Sequence, residues 1–141
     1  MKLTKNFELK EFVSPELFKQ FGEKSIWFLD PCIVQFAQTF RDHIGRSVII
    51  NNWHTGGKAK YSGHRPLNCE IGASLSQHKF GRAVDIKVEG FSGAELRKII
   101  VSNYDKLFSD YITTIEDGTD TWLHADCRWT ESDKLLIVPF R

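Results

Sequence analysis

Ser76-Gln77-His78-Lys79-Phe80-Gly81-Arg82-Ala83-Val84-Asp85, running on into Ile86-Lys87-Val88, is the stretch that decides how this chain is read. It sets a histidine and an aspartate seven residues apart, with a glycine and a small residue between them. Helix neighbours close enough to serve as ligands of one ion sit at i+3 or i+4, so a helix does not explain the spacing. A loop entering a strand does. Gly81 permits a tight turn or a close backbone approach, Ala83 leaves room, and Asp85 falls inside a strand over residues 83–88. An imidazole nitrogen and a carboxylate oxygen make a zinc half-site that needs one or two further ligands. Trp122-Leu123-His124-Ala125-Asp126 supplies candidates for them downstream.

Ser-x-His-x-x-Gly-x-Ala-x-Asp followed by Trp-x-His resembles the zinc D-Ala-D-Ala carboxypeptidase family. That family also includes phage endolysins that cut peptidoglycan peptides and, as a distant relative, the hedgehog signalling domain. Every fixed position of the first motif is matched, and the supporting segments run over residues 48–128. The resemblance implies three zinc ligands, His78, Asp85 and His124, which leave a fourth tetrahedral position for water. Zinc lowers the pKa of water in that position toward ~7 and polarises a peptide carbonyl. Without the second motif, the bland reading would be a surface histidine and a strand aspartate that never meet.

The resemblance also implies a carboxylate that moves the proton from water to the leaving amine, placed shortly before the second histidine. Three residues before His124 stands Thr121, which cannot serve. Glu116, at the end of the preceding strand and across a hairpin from His124, is the expected base; Asp120 is the alternative, and Asp117 a poorer one. The family's Ser-Gly-x-Arg turn is matched by Ser62-Gly63-His64-Arg65, with His64 where tyrosine is more usual. Arg65 is thereby expected either to orient a substrate carboxylate or to pin its own loop through backbone carbonyls. Ser76 and Trp122 are the further expected substrate contacts, Trp122 being equally readable as a core aromatic. Asp126, two residues after His124 in the same strand, is either a partner of that histidine or a plain strand charge.

The chain of 141 residues is expected to form a single domain over 1–141, large enough for one core. A 41% hydrophobic, 13% aromatic composition is that of a globular protein. A formal charge of +1 gives no electrostatic support for nucleic-acid binding, and no apolar run approaches membrane-spanning length. Residues 1–6 begin with a basic residue but lead into no apolar stretch, so no signal peptide is expected. Cys32, Cys69 and Cys127, an odd count without CxxC spacing, read as reduced thiols of a chain made in the cytosol.

Elsewhere the patterns predict helices opening at Ser14-Pro15 (to residue 20), at Asp30-Pro31 (ending at Gly45) and at the capping box Ser92-Gly93-Ala94-Glu95 (to about residue 103). A further turn is expected over residues 104–108. Strands are predicted over 47–51, 83–88, 111–116, 121–127 and 134–138, with a long irregular segment over 52–75 braced by Asn51, Asn52 and Trp53. His43 and His54 are read as a surface residue and a weak ligand candidate. The fold class is α+β, a small domain with a mainly antiparallel sheet and helices on one side, hedgehog/DD-peptidase-like by resemblance.

The function expected from the resemblance is a zinc metallopeptidase of phage or prophage type. It would hydrolyse bacterial peptidoglycan stem peptides, either as a D-Ala-D-Ala carboxypeptidase or at an internal L-Ala–D-Glu bond. The partner is the wall peptide, with no nucleic acid or membrane, and the chain is expected to be a monomer. It would be made in the host cytoplasm and act on the wall after release, or travel with the virion. A catalytically inactive zinc-containing binding module and a structural phage protein are the alternatives.

Overall fold

The computed structural model describes residues 1–140. Three helices form where the caps predict them. Helix α1 (Pro15–Phe21) starts with the Leu17 N–H donating to the Ser14 hydroxyl oxygen, and Pro15 supplies the first helical φ. Helix α2 (Pro31–Ile44) starts on the Asp30 carboxylate, which accepts from the Cys32 N–H at 2.9 Å, and stops at Gly45 in the left-handed region. Helix α3 (Gly93–Asn103) carries the Ser92/Glu95 capping box with both reciprocal bonds made. It runs into a wider π-type turn, Tyr104–Phe108, held by the Tyr104 hydroxyl donating to the Ile112 carbonyl at 2.7 Å.

Four strands make one mixed sheet in the order β1-β3-β2-β4: β1 (Ala83–Ile86), β2 (Thr114–Asp117), β3 (Leu123–Asp126) and β4 (Leu136–Pro139). β3 runs antiparallel to both β1 and β2, whereas β4 lies parallel to β2 along the outer edge. The antiparallel centre matches the expected hairpin, and the result is the small α+β fold.

Alternation along the strands separates two faces. Val84, Ile86, Ile115, Leu123 and Ala125 are buried with Leu96 and Ile100 of α3, Phe36 and Phe40 of α2, and Phe108. Each Val, Leu, Ile or Phe among them contributes about 1.5–3 kcal/mol by leaving water. The opposite face carries Asp85, His124 and Glu116.

The expected strand over 47–51 does not form: Val48 and Ile50 are buried, but the segment meets the sheet only at a single Ile49–Lys87 bridge. Its polar groups are spent elsewhere. The Asn51 N–H goes to the Glu11 carbonyl, and its side chain donates to the Val13 carbonyl and accepts from the Ser62 N–H. Asn51 and Trp53, which also donates to the Val13 carbonyl at 2.9 Å, thus brace the irregular segment as expected. No helix among the described residues is long and apolar enough to cross a membrane.

Candidate metal centre

Register brings the centre together. In the β1/β3 pairing Asp85 stands directly opposite His124. In the β2/β3 pairing Ile115 stands opposite Ala125, so one step on Glu116 comes abreast of His124 on its other side. Asp85, His124 and Glu116 therefore form one row across three adjacent strands, on the face away from α3.

His78 arrives from outside the sheet, on the short 3-10 turn Gln77–Phe80. The Ser76 hydroxyl caps this turn by accepting from the His78 N–H, and Gly81 closes it at φ +69°. A Cβ on Gly81 would run into the Phe28 carbonyl oxygen, so the motif glycine is both a left-handed turn and a close approach. Gly63 is similarly pressed against the Phe12 backbone, which aims its carbonyl at His78.

The partners of each ring assign its tautomer. The Gly63 carbonyl, 2.8 Å from His78 Nδ1, can only accept, so Nδ1 carries the proton and Nε2 the lone pair. The Asp126 carboxylate, 2.8 Å from His124 Nε2, likewise takes that N–H, so in the neutral ring Nδ1 is the bare nitrogen. The two bare nitrogens and Asp85 Oδ1 then face one another. His78 Nε2 lies 3.2 Å from His124 Nδ1 and 3.2 Å from Asp85 Oδ1, and His124 Nδ1 lies 3.0 Å from that oxygen. Three lone-pair atoms at such distances repel unless a proton or a cation sits among them. His78, Asp85 and His124 form a group that can hold a metal ion, with their ligating atoms all within 4.8 Å of one another.

The protonation of the centre reflects the same crowding. Burial pushes the Asp85 carboxyl up, but the His78 and His124 imidazoles outweigh it and hold Asp85 well below the usual carboxylate range. Burial alone would lower His124, yet its bonds to Asp126 and Asp85 raise it to about 9. Asp126, fully buried, is likewise pushed up by burial but held below its usual value by Arg128 and His124. The ring of His124 thus competes for a proton in the place where a cation would go.

The centre lines one wall of a cleft of about 550 Å³. Of the residues expected from sequence, Glu116, Arg65, Ser76 and Trp122 all line it. Glu116 Oε1 lies 3.0 Å from His124 Nδ1, with about a fifth of its side chain exposed. Trp122 stands at the rim, edge-on to Phe140 at 5.3 Å. Arg65 is buried, and all three of its nitrogens are engaged. Nε donates to the Tyr61 carbonyl at 2.7 Å, Nη1 to the Ile71 carbonyl at 3.3 Å and Nη2 to Asp85 Oδ2 at 3.1 Å. Those are the contacts of a loop pin that also steadies a ligand.

Asp120 is not brought to the centre: it is exposed in the 118–122 connection, where its carbonyl accepts from the Gly93 N–H. Asp117 points to solvent beside Arg97, at 3.5 Å. Cys127 stays outside the ligand group, its thiol pushed up to about 12 mainly by burial. Asp126 is the partner of His124.

Sequence reasoning did not single out Arg128, whose guanidinium holds Asp126 through Nε–Oδ1 at 2.8 Å and Nη2–Oδ2 at 2.6 Å. Its i+2 spacing from Asp126 was the available signal. The Gly63 carbonyl, a backbone group, had none. Compared with family models, curated proteins and solved structures, the chain finds no match.

Proposed function

We propose that this protein is a zinc metallopeptidase that hydrolyses a peptide bond in bacterial cell-wall stem peptides, of the phage or prophage kind its motifs resemble. The observation that carries the reading is the row Asp85–His124–Glu116, completed by His78 and with both imidazole tautomers fixed for ligation. Two imidazoles and one carboxylate are a donor set that suits a catalytic zinc site with an open position. His78 Nε2, Asp85 Oδ1 and His124 Nδ1 would hold the ion.

When bound, zinc supplies Lewis acidity toward the scissile carbonyl and a more acidic water. Everything else falls to the chain. Glu116, at the mouth of the group, takes a proton from the attacking water as its oxygen bonds to the carbonyl carbon. It then returns that proton to the amine nitrogen as the C–N bond breaks, so a neutral amine departs. Asp126 keeps the His124 Nε2 proton in place throughout, and Gly63 does the same for His78 Nδ1. Arg65 holds Asp85 from the side away from the histidines.

The test is incubation of zinc-loaded protein with purified muropeptides, read by mass spectrometry. The reading expects two products whose masses sum to the substrate plus one water. Intact muropeptides after prolonged incubation would contradict it and favour an inactive zinc-containing module.

A further inference from the structure

Two guanidinium groups line the cleft beside the metal centre, and they are not equivalent. Arg65 is only 8% exposed, with every nitrogen spent on Tyr61, Ile71 and Asp85. Arg128 is held differently. Its Nε and Nη2 pair side-on with the two oxygens of Asp126, and its own backbone N–H donates to Asp126 Oδ1 at 3.2 Å. Because Asp126 is fully buried and anchored to His124, the guanidinium plane is fixed from behind. About 30% of the Arg128 side chain remains exposed, and Nη1 has no hydrogen-bond partner among the described residues.

Side-on pairing consumes one edge of a guanidinium and leaves the end-on edge, Nη1 with the second N–H of Nη2, for a second planar acceptor. That edge matches a carboxylate with two parallel bonds, and its orientation is fixed before any ligand arrives. The charges agree. A divalent ion and the two guanidinium groups, set against Asp85, Glu116 and Asp126, leave one positive charge for one ligand carboxylate.

We infer that Arg128 is the residue that recognises a carboxylate of the peptide substrate, while Arg65 serves the loop and Asp85. The inference rests on the peptidase reading for its substrate class, a stem peptide with a free carboxylate near the scissile bond. That carboxylate is either the C-terminus of D-Ala-D-Ala or the α-carboxylate that D-Glu leaves free when its γ-carboxyl carries the chain onward.

The experiment is calorimetric binding to the zinc-loaded protein in a Glu116→Gln background, so that ligand is not consumed. The probes are acetyl-D-Ala-D-Ala against its C-terminal amide, and L-Ala–D-Glu against L-Ala–D-isoglutamine, in which the α-carboxylate is amidated. One acid is expected to bind ~10–100-fold tighter than its amide, and the pair that shows this preference identifies the carboxylate. Arg128→Gln should bring that ratio to within about threefold of unity, and Arg65→Gln should leave it standing. Zinc content is measured on the same samples. If Arg128→Gln loses zinc, Arg128→Lys takes its place, since it retains a charge for Asp126 but not the planar fork, and the ratio should fall about tenfold. A purely structural Arg128 would weaken acid and amide alike. An unchanged ratio in these variants, absence of acid preference in both probe pairs, or collapse of the ratio in Arg65→Gln (or in Arg65→Lys, should the first lose zinc) with zinc retained each overturns the inference. Cleavage by the unmodified protein is scored separately, so a protein that binds acids through Arg128 without cutting them contradicts only the peptidase reading.

Discussion

His124 and Asp126 project from the same face of β3, with the imidazole Nε2 held 2.8 Å from a carboxylate oxygen that has no exposure to solvent. This contact decides which nitrogen of His124 faces His78 and Asp85. Without it the ring is free to turn its N–H toward the centre, where it would meet Asp85 and leave no lone pair for a cation.

Asp126→Asn should therefore weaken zinc affinity by ~10–100-fold, the usual range for losing such a partner. Competition with a chromophoric chelator measures it, with circular dichroism to show that the fold persists. Wild-type affinity in a folded Asp126→Asn protein would show that the contact does not govern ligation.

Glu116→Gln and Asp120→Asn are near-isosteric changes at the two carboxylates that the sequence alone leaves in competition. Only Glu116 reaches His124, at 3.0 Å. Glu116→Gln should lower kcat by ~10²–10⁴-fold with zinc retained, whereas Asp120→Asn should leave kcat within about twofold. The reverse pattern in muropeptide kinetics would exchange their roles.

How far the chain could be read in advance follows from what each residue's neighbours are. His78, Asp85 and His124 were legible through the two motifs and the family they resemble, although the register that joins them spans 39 residues, and the expected hairpin brings Glu116 to 3.0 Å from His124. Helix starts at Ser14, Asp30 and Ser92 were legible because a cap is a bond over three residues or fewer. The 47–51 segment misled because Val48 and Ile50 are β-branched and buried, which is also what a loop crossing a core requires. Asn51 settles the matter through bonds to Glu11, Val13 and Ser62, partners that no local window contains. The parallel placement of β4 on β2 likewise depends on the assembled fold.

Gly81→Ala should be costly. A left-handed φ costs a non-glycine residue roughly 1–2 kcal/mol, and the added methyl would also displace the Phe28 carbonyl. The neighbouring Asp30 N–H, which donates to the Gly81 carbonyl at 2.9 Å, would move with it. Urea unfolding should show a loss of more than about 2 kcal/mol, together with weaker zinc binding through the displaced His78 turn. A change below about 0.5 kcal/mol would contradict the close packing.

His64 should set part of the acid limb of stability. It is buried edge-on to Phe28 at 5.6 Å, and burial, with a smaller contribution from His78, lowers its pKa to about 4. The unfolded chain takes up this proton near pH 6.5 and the folded chain only near pH 4. Across that window the unfolded state binds more protons, so stability falls as pH drops from about 6.5 to 4 and is unaffected above it. Nδ1 of His64 is also buried without a hydrogen-bond partner among the described residues. His64→Phe should therefore flatten the melting-temperature profile between pH 6.5 and 4 and leave stability at pH 7 equal or higher by about 1 kcal/mol. Thermal scans of chelator-treated protein, wild type against variant, check it; parallel acid limbs would contradict it.

The proposed chemistry requires that His78, Asp85 and His124 jointly hold one zinc ion. Elemental analysis of protein purified with zinc and then dialysed against a weak chelator tests it most directly. One zinc per chain is expected in the wild type, with stoichiometry lost in His78→Ala and in His124→Ala. Stoichiometric zinc in both variants, or none in the folded wild type, would contradict it.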